Sequence, residues 1–174
     1  MTIRKILTEP DKFLRQKSLP VIEVNDSHRI LMDDMLETMY KAPGIGLAAI
    51  QVGVPERIIV IDISRDDKKK EPLFFVNPTI ISKSTNDATY EEGCLSVPGQ
   101  FAEIDRPDQC HIKYLDYFGK KKELKAEGLL ATCIQHEMDH LEGVLFIDYL
   151  SKLKKNMIVK KLSKQKKAVD RIVV

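Results

Sequence analysis

The segment from Glu127 to Leu141 constrains the fold most, because its apolar residues recur at intervals of three and four around much of a helix. Gly143 follows closely, and glycine commonly ends a helix. A helix that is apolar around most of its circumference must be buried, so the rest of the chain has to be arranged around it. Its apolar positions are Leu129, Leu130, Cys133, Ile134, Met138 and Leu141.

The remaining patterns predict an α+β fold, with antiparallel sheets around this central helix and one helix near each terminus. Short β-branched or aromatic runs at residues 58–63 and 73–76, and an alternating run at residues 110–117, predict strands. A first helix should start at residues 25–27 and end before Pro43. A last helix should cover about residues 151–170, with Leu153, Met157, Ile158 and Leu162 as its inward stripe. At 174 residues and 43% hydrophobic content, residues 1–174 are expected to form a single domain.

The central helix carries the pentapeptide HEMDH at residues 136–140. Four residues make about 1.1 turns, so the imidazoles of His136 and His140 project from one face about 6 Å apart and can bind one metal ion. Glu137 lies beside them and is suited to accept a proton from water rather than to ligate. The alternative is a pair of partly exposed histidines that bind nothing.

A catalytic metal site also needs a third protein ligand and an open position. In the metalloprotease spacing HExxHxxGxxH that ligand would stand where this chain has Phe146. Cys133 shares the histidine face but lies about 7 Å away along the helix and leans away from the pair, which indicates a pocket wall. Cys110 fits a buried strand thiol. Cys94, within EEGCLSVPG at residues 91–99, is the remaining candidate, and its alternative is a small core residue in a turn.

A third segment, GIGLAAIQ at residues 44–51, contains the dinucleotide-binding spacing GxGxxA. That interpretation requires a preceding strand and a long following helix, whereas a helical pattern precedes this segment and Gly53 and Pro55 follow it. Its glycines would instead let the backbone approach a substrate closely, and Gln51 offers an amide donor. The alternative is a glycine-rich loop packed on the core.

The net charge of +2 is unevenly placed, since residues 152–171 carry +8 and the rest of the chain carries −6. This basic segment fits either a solvated helix face or a contact with a polyanion such as RNA. Three cysteines disfavour a disulfide scaffold, and the longest uncharged run, 14 residues, is too short to span a bilayer. No signal peptide is apparent, so we expect a cytoplasmic protein.

Three segments in this order resemble the signature motifs of the peptide deformylase family: GIGLAAIQ at 44–51, EGCLS at 92–96 and QHEMDH at 135–140. The likeness extends over nearly the whole chain. It implies removal of the formyl group, as formate, from the N-formylmethionine of newly made polypeptides. It also implies formylated nascent peptides as partners, possible ribosome contact through the basic C-terminal helix, and no membrane or DNA partner.

The resemblance assigns the metal ligands to Cys94, His136 and His140. The cofactor it implies is one divalent ion, usually Fe(II) in this family, with Zn, Ni or Co also able to bind. The donors themselves would suit zinc equally, because two imidazoles and a thiolate are ordinary zinc ligands.

By the same resemblance, Glu137 is the general base, and the Gln51 side chain and the Leu95 backbone N–H are oxyanion donors. The substrate's methionine side chain would enter an apolar pocket beside His136. The residues of that pocket are Ile45, Gly46, Leu129, Thr132 and Cys133.

Two positions depart from the family pattern: Thr132, where relatives often carry an aliphatic residue, and Phe101, where some carry an arginine. Glu92 and Arg106 are similar to an ion pair that orients the cysteine loop. Two other classes of protein remain possible from the sequence: an RNA- or ribosome-binding module with a structural metal, and an ordinary metallopeptidase.

Overall fold

The computed structural model describes residues 2–64 and 69–172, and over these residues the chain forms three α-helices and seven β-strands. The helices are α1 (Asp26–Lys41), α2 (Gly128–Leu141) and α3 (Lys152–Ile172). Single 3-10 turns occupy Lys12–Arg15, Ala49–Val52 and Phe146–Tyr149. The strands are β1 (Gly46–Ala48), β2 (Ile58–Ile61), β3 (Leu73–Lys83), β4 (Asp87–Cys94), β5 (Val97–Pro107), β6 (Gln109–Leu115) and β7 (Lys121–Glu127).

The strands form two antiparallel sheets, which confirms the predicted α+β class. One sheet has five strands in the order β1-β2-β3-β6-β7, and the other is the β4–β5 hairpin. In the hairpin, Leu95 and Ser96 make the turn between the two strands. Cys94 therefore lies at the tip of the hairpin, where a register shift follows Gly93.

Helices α1 and α2 cover opposite faces of the large sheet. Successive residues of β2 point to opposite faces, so Ile59 and Ile61 pack in the core beneath α2 while Ile58 and Val60 pack beneath α1. Burial on both faces explains why β2 is an uninterrupted run of isoleucine and valine. Helix α2 is consequently a central element, as its apolar circumference predicted.

A third apolar cluster joins the hairpin to the C-terminal helix. Val97 and Ile104 of β5 pack against Phe146 of the last 3-10 turn and Leu162 of α3. This cluster fixes the first half of α3 on the body of the molecule, next to the hairpin that carries Cys94.

The N-terminal residues run as an extended strap across two loops. The Leu7 N–H donates to the Gln51 carbonyl at 2.7 Å, and the Glu9 N–H donates to the Ser96 carbonyl at 2.8 Å. The strap thus ties the segment at residues 44–51 to the hairpin tip.

The predicted N-terminal helix is confirmed, with Asn25 capping it through bonds from the Ser27 and His28 backbones. Gly143 also follows α2 as expected: its φ is +74°, and a side chain there would collide with the Arg15 carbonyl. The strand predicted at residues 58–63 ends at Ile61, and the one predicted at 73–76 continues to Lys83 because β6 pairs with its second half.

The sequence patterns missed four strands, β1, β4, β5 and β7, and misplaced part of one helix face. The hairpin strands β4 and β5 are rich in polar residues because much of the hairpin is exposed. Strand β7 (KKELKAE) has a composition typical of a helix, although it is an edge strand paired with β6. The predicted inward stripe of α3 is wrong at Leu153 and Met157, which are 72% and 63% exposed. Among the described residues of α3, Ile158, Val159 and Leu162 pack against the body of the protein.

Candidate metal centre and its cavity

The side chains of Cys94, His136 and His140 meet at one point, where all their ligand atoms lie within 4.8 Å of one another. Helix α2 presents both imidazoles from one face, with ring centroids 5.1 Å apart. The hairpin tip brings the Cys94 Sγ to 3.2 Å from the His140 Nε2. The structure therefore brings together the three residues that the resemblance named as ligands.

The chemistry of this donor set fits a divalent transition metal. Both imidazoles are buried, and burial lowers the pKa of His140 well below its ordinary value, which keeps its ring in the neutral form that binds cations. The Ser96 N–H and the Gln51 Nε2 donate to the Cys94 Sγ at 3.4 and 3.6 Å, and these bonds hold the sulfur beside the two imidazoles. Three protein ligands beside a cavity leave one coordination position for a reactant, as in catalytic rather than structural sites.

A buried ion pair orients His136. The Glu92 carboxylate accepts from the His136 Nδ1 at 2.8 Å and is paired in turn with Arg106, which also bonds Asp139 at 2.8 Å. Burial alone would raise the pKa of Glu92, but its bonds to His136 and Arg106 outweigh burial and lower it, so Glu92 stays ionised. A bond at Nδ1 leaves the Nε2 of His136 free to face the metal position. The Glu92–Arg106 pair was predicted, whereas its link through Asp139 to the Tyr149 hydroxyl was not.

Glu137 is 4% exposed, and its Oε2 has no hydrogen-bond partner among the described residues. Burial raises the pKa of this carboxyl to about 7, because the charged form loses hydration. Gly46 of β1 lies against it, and a Cβ at that position would collide with the Glu137 carboxylate. The glycine at residue 46 is thus required by the close approach of the β1 backbone to Glu137.

Gln51 is fixed at the base of the site. Its Oε1 accepts from the Ala48 N–H at 2.8 Å, and its Nε2 donates to the Ser96 Oγ at 3.0 Å. These bonds point the amide nitrogen towards Cys94 and away from the core. Leu95 follows Cys94 in the hairpin turn. Ser96, which sequence reasoning did not single out as a functional residue, holds both Gln51 and the cysteine.

One cavity of about 520 Å³ opens beside these residues. Its wall contains every residue that was predicted to bind substrate, and it also includes Phe101, whose ring covers Gly93 at the rim and which is 65% exposed. Cys133 lines the cavity and Cys110 lies buried in β6, both as predicted. The lining includes Ile45, Gly46, Gln51, Cys94, Leu95, Leu129, Thr132, Cys133, His136 and Glu137.

The two other histidines lie elsewhere. His28 belongs to the cap of α1, and His111 of β6 lies 3.0 Å from the Glu123 carboxylate on the edge strand. The sequence patterns assigned neither His28 nor His111 to the metal site, and the structure places both residues away from it.

Comparison with known proteins gives a consistent result over the whole chain. The family model described as polypeptide deformylase matches residues 3–156. The peptide deformylase of Pelagibacter ubique is 71% identical over 174 residues, which is all of both chains, and that of Maricaulis maris is 59% identical over 98% of each. A crystal structure of peptide deformylase from Ehrlichia chaffeensis in complex with actinonin superposes with a TM-score of 0.89 at 44% identity, covering 95% of this chain and 98% of that one.

Proposed function

This chain belongs to the peptide deformylase family, metal-dependent hydrolases that remove the N-formyl group from newly made polypeptides, and we propose that Cys94, His136 and His140 hold the metal for this reaction. The observation that carries the proposal is the convergence of one thiol and two buried imidazoles within 4.8 Å, on the wall of a cavity that also presents Glu137 and Gln51. Because the chain belongs to this family, we set aside the two alternatives, an RNA- or ribosome-binding module with a structural metal and an ordinary metallopeptidase.

When bound, a divalent cation acts as a Lewis acid and lowers the pKa of water at the site. Glu137 is the base in this proposal: its carboxylate takes a proton from the attacking water and delivers it to the leaving amine. Burial raises the pKa of Glu137 towards neutral, which suits both steps, because such a group accepts and releases a proton more readily than an ordinary carboxyl.

Gln51 and Leu95 stabilise the negative charge that develops on the formyl oxygen. The Gln51 amide nitrogen is held in place before any substrate arrives, because its oxygen is anchored on Ala48. The Leu95 backbone N–H, in the adjacent turn, would supply a second donor. Donors fixed in advance cost no reorganisation during the reaction, which makes them effective in stabilising a transition state.

The substrate's first side chain occupies the part of the cavity between β1 and α2. Leu129, Thr132 and Cys133 lie along the helix before His136, and Ile45 faces them from the neighbouring loop. The peptide that follows would pair with the hairpin near Leu95 as an added strand.

The proposal extends to the metal, the location and the partners. We propose Fe(II) as the resident ion, with Zn, Ni or Co as alternatives, in a cytoplasmic protein of one domain over residues 1–174. No helix of the described residues is long and apolar enough to cross a membrane. We also propose the ribosome as the partner of the basic helix α3, supported by its exposed lysines, and no partnership with DNA.

The deciding experiment is anaerobic purification with metal analysis, followed by a formate-release assay on formyl-Met-Ala-Ser. We expect about one divalent ion per chain and release of formate in step with the free amine. Metal-loaded protein that releases no formate would overturn the proposal, and the metal analysis itself decides between iron and its alternatives.

A further inference from the structure

The methionine pocket contains a buried hydroxyl without a partner. Thr132 is 3% exposed and lines the cavity, yet its Oγ1 makes no hydrogen bond to any described residue. A threonine in a helix usually satisfies its hydroxyl on the carbonyl one turn earlier, and here that bond is not made. A buried hydroxyl left without a partner is costly and therefore uncommon, so this one requires an explanation.

Two neighbouring polar groups of the pocket are already engaged, and the unpartnered Glu137 Oε2 does not bond Thr132. The Cys133 thiol points to the Ile45 carbonyl at 3.8 Å, and the Gln51 amide donates to Ser96. Among the described residues of the cavity wall, Thr132 supplies the one buried hydroxyl that lacks an acceptor. An acceptor for it can come from a group that enters the cavity.

The position of Thr132 along α2 matches the far end of a methionine side chain. Thr132 lies four residues before His136, which is about 1.1 helical turns or about 6 Å along the helix axis from that histidine. The sulfur of methionine stands three bonds beyond the α-carbon, a reach of about 4 Å when the side chain is extended. A substrate whose formyl oxygen accepts from Gln51 thus brings its sulfur within reach of the Thr132 hydroxyl.

A thioether is a weak acceptor, but its oxidised form is a strong one. Methionine sulfoxide carries a polar S=O group on the same side-chain skeleton, and in a purely aliphatic pocket that oxygen would be buried without a donor. We propose that Thr132 extends the activity of this enzyme to peptides that begin with formylmethionine sulfoxide, by donating a hydrogen bond to the sulfoxide oxygen. This inference rests on the proposed function, since it requires the methionine pocket to be where that function places it.

The test compares three peptides of the form formyl-X-Ala-Ser, where X is methionine, norleucine or methionine sulfoxide. Norleucine has the same length as methionine but no acceptor, so it is the internal reference for packing. The quantity measured is the ratio of kcat/KM for the sulfoxide peptide to kcat/KM for the norleucine peptide. Comparing two substrates on one enzyme preparation cancels differences in metal loading and folded fraction.

We expect the wild-type ratio to lie within about tenfold of unity, and Thr132→Val, which removes the hydroxyl at nearly constant volume, to lower it by about tenfold or more. Thr132→Ser, which keeps the hydroxyl, should retain the wild-type ratio within about threefold. An unchanged ratio in Thr132→Val would overturn the proposal. So would a wild-type enzyme that hydrolyses the sulfoxide peptide more than about a hundredfold more slowly than the norleucine peptide, even if the variants do not fold. Failure to hydrolyse any of the three peptides would instead contradict the proposed function itself.

Discussion

At the scale of single residues, the proposed mechanism requires Glu137 to be ionised when water attacks. Glu137→Gln keeps the shape of the side chain but cannot accept the proton, so we expect kcat/KM to fall by about a thousandfold with the metal content unchanged. Formate release and metal analysis on the same sample measure both quantities. Glu123→Gln is the matched control, because Glu123 lies on the edge strand and is half exposed. Turnover retained in Glu137→Gln would remove Glu137 from the role of base.

The raised pKa of Glu137 also predicts a pH profile. The carboxylate is the active form, so activity should be full above its pKa and fall as the pH drops through that value. Burial sets this pKa at about 7 in the metal-free site, and a bound cation lowers it, so the midpoint in the loaded enzyme should lie below 7. Measurement of kcat/KM from about pH 5 to pH 8 checks this, and a flat profile over that range would contradict it.

Gln51→Ala tests the second proposed contact with the reacting group. The variant loses one donor to the formyl oxygen, which typically costs about 3 kcal/mol of transition-state stabilisation, or about a hundredfold in rate. It also removes one donor to Cys94 but none of the three ligands, so the metal should remain bound. Unchanged turnover in metal-loaded Gln51→Ala would exclude Gln51 from the mechanism.

The residues of the site were largely predictable because their chemistry leaves a local pattern. Two histidines four residues apart on an apolar helix identify a metal face without any knowledge of the fold. The supporting chain from His136 through Glu92 and Arg106 to Asp139 was only half predicted. Its members come from three different elements, and only the folded structure shows which carboxylate reaches which partner.

At the scale of elements, Arg106 joins the hairpin to α2, because it pairs with Glu92 of β4 and with Asp139 of α2. Arg106→Met leaves the buried Glu92 carboxylate without its partner, and breaking a buried pair in this way typically costs about 3–5 kcal/mol of stability. Because Glu92 also orients His136, we expect the metal to bind about 10- to 100-fold more weakly.

Chemical unfolding and competition with a metal chelator measure these two effects of Arg106→Met. Arg57→Met is the control, since Arg57 pairs with the half-exposed Glu142 and such surface pairs contribute about 1 kcal/mol or less. Metal binding in Arg106→Met as tight as in Arg57→Met would show that His136 needs no support from this pair.

The prediction of helices and strands succeeded where a segment's own residue pattern determines its structure. It failed where the structure depends on pairing with another strand. Strand β2 is buried throughout and helix α2 is buried over residues 131–137, so their apolar runs are sufficient evidence. Strand β7 consists mostly of lysine and glutamate, which favour helices, and its strand form depends on pairing with β6. Pairing with the preceding strand leaves no mark on the sequence of this exposed edge strand.

At the scale of the whole molecule, the C-terminal helix has a structural and a proposed binding role that can be separated. Leu162 is 3% exposed in the cluster with Phe146, so Leu162→Ala should cost about 2–4 kcal/mol of unfolding free energy. Deleting all of α3 would remove this contact as well, and the loss of ribosome binding would then have no single cause.

Charge reversal avoids that difficulty. Replacing the exposed residues Lys154, Lys160, Lys161 and Lys164 with glutamate leaves Leu162 in place, and we expect ribosome binding to fall at least tenfold while deformylation of a free peptide is retained. Sedimentation with ribosomes at two salt concentrations measures the effect, since an electrostatic contact weakens as salt rises. Binding that neither the four substitutions nor salt reduces would exclude the basic face as the contact.

The N-terminal strap, residues 2–9, has a consequence for the order in which the active centre forms. The chain emerges from the ribosome N-terminus first, so residues 7 and 9 appear long before Gln51 and Ser96, to which they bond, and before the helix that carries the histidines. Each copy therefore passes through most of its synthesis without a working centre. If His140 is a metal ligand as proposed, a product that terminates before it should be inert at any metal concentration.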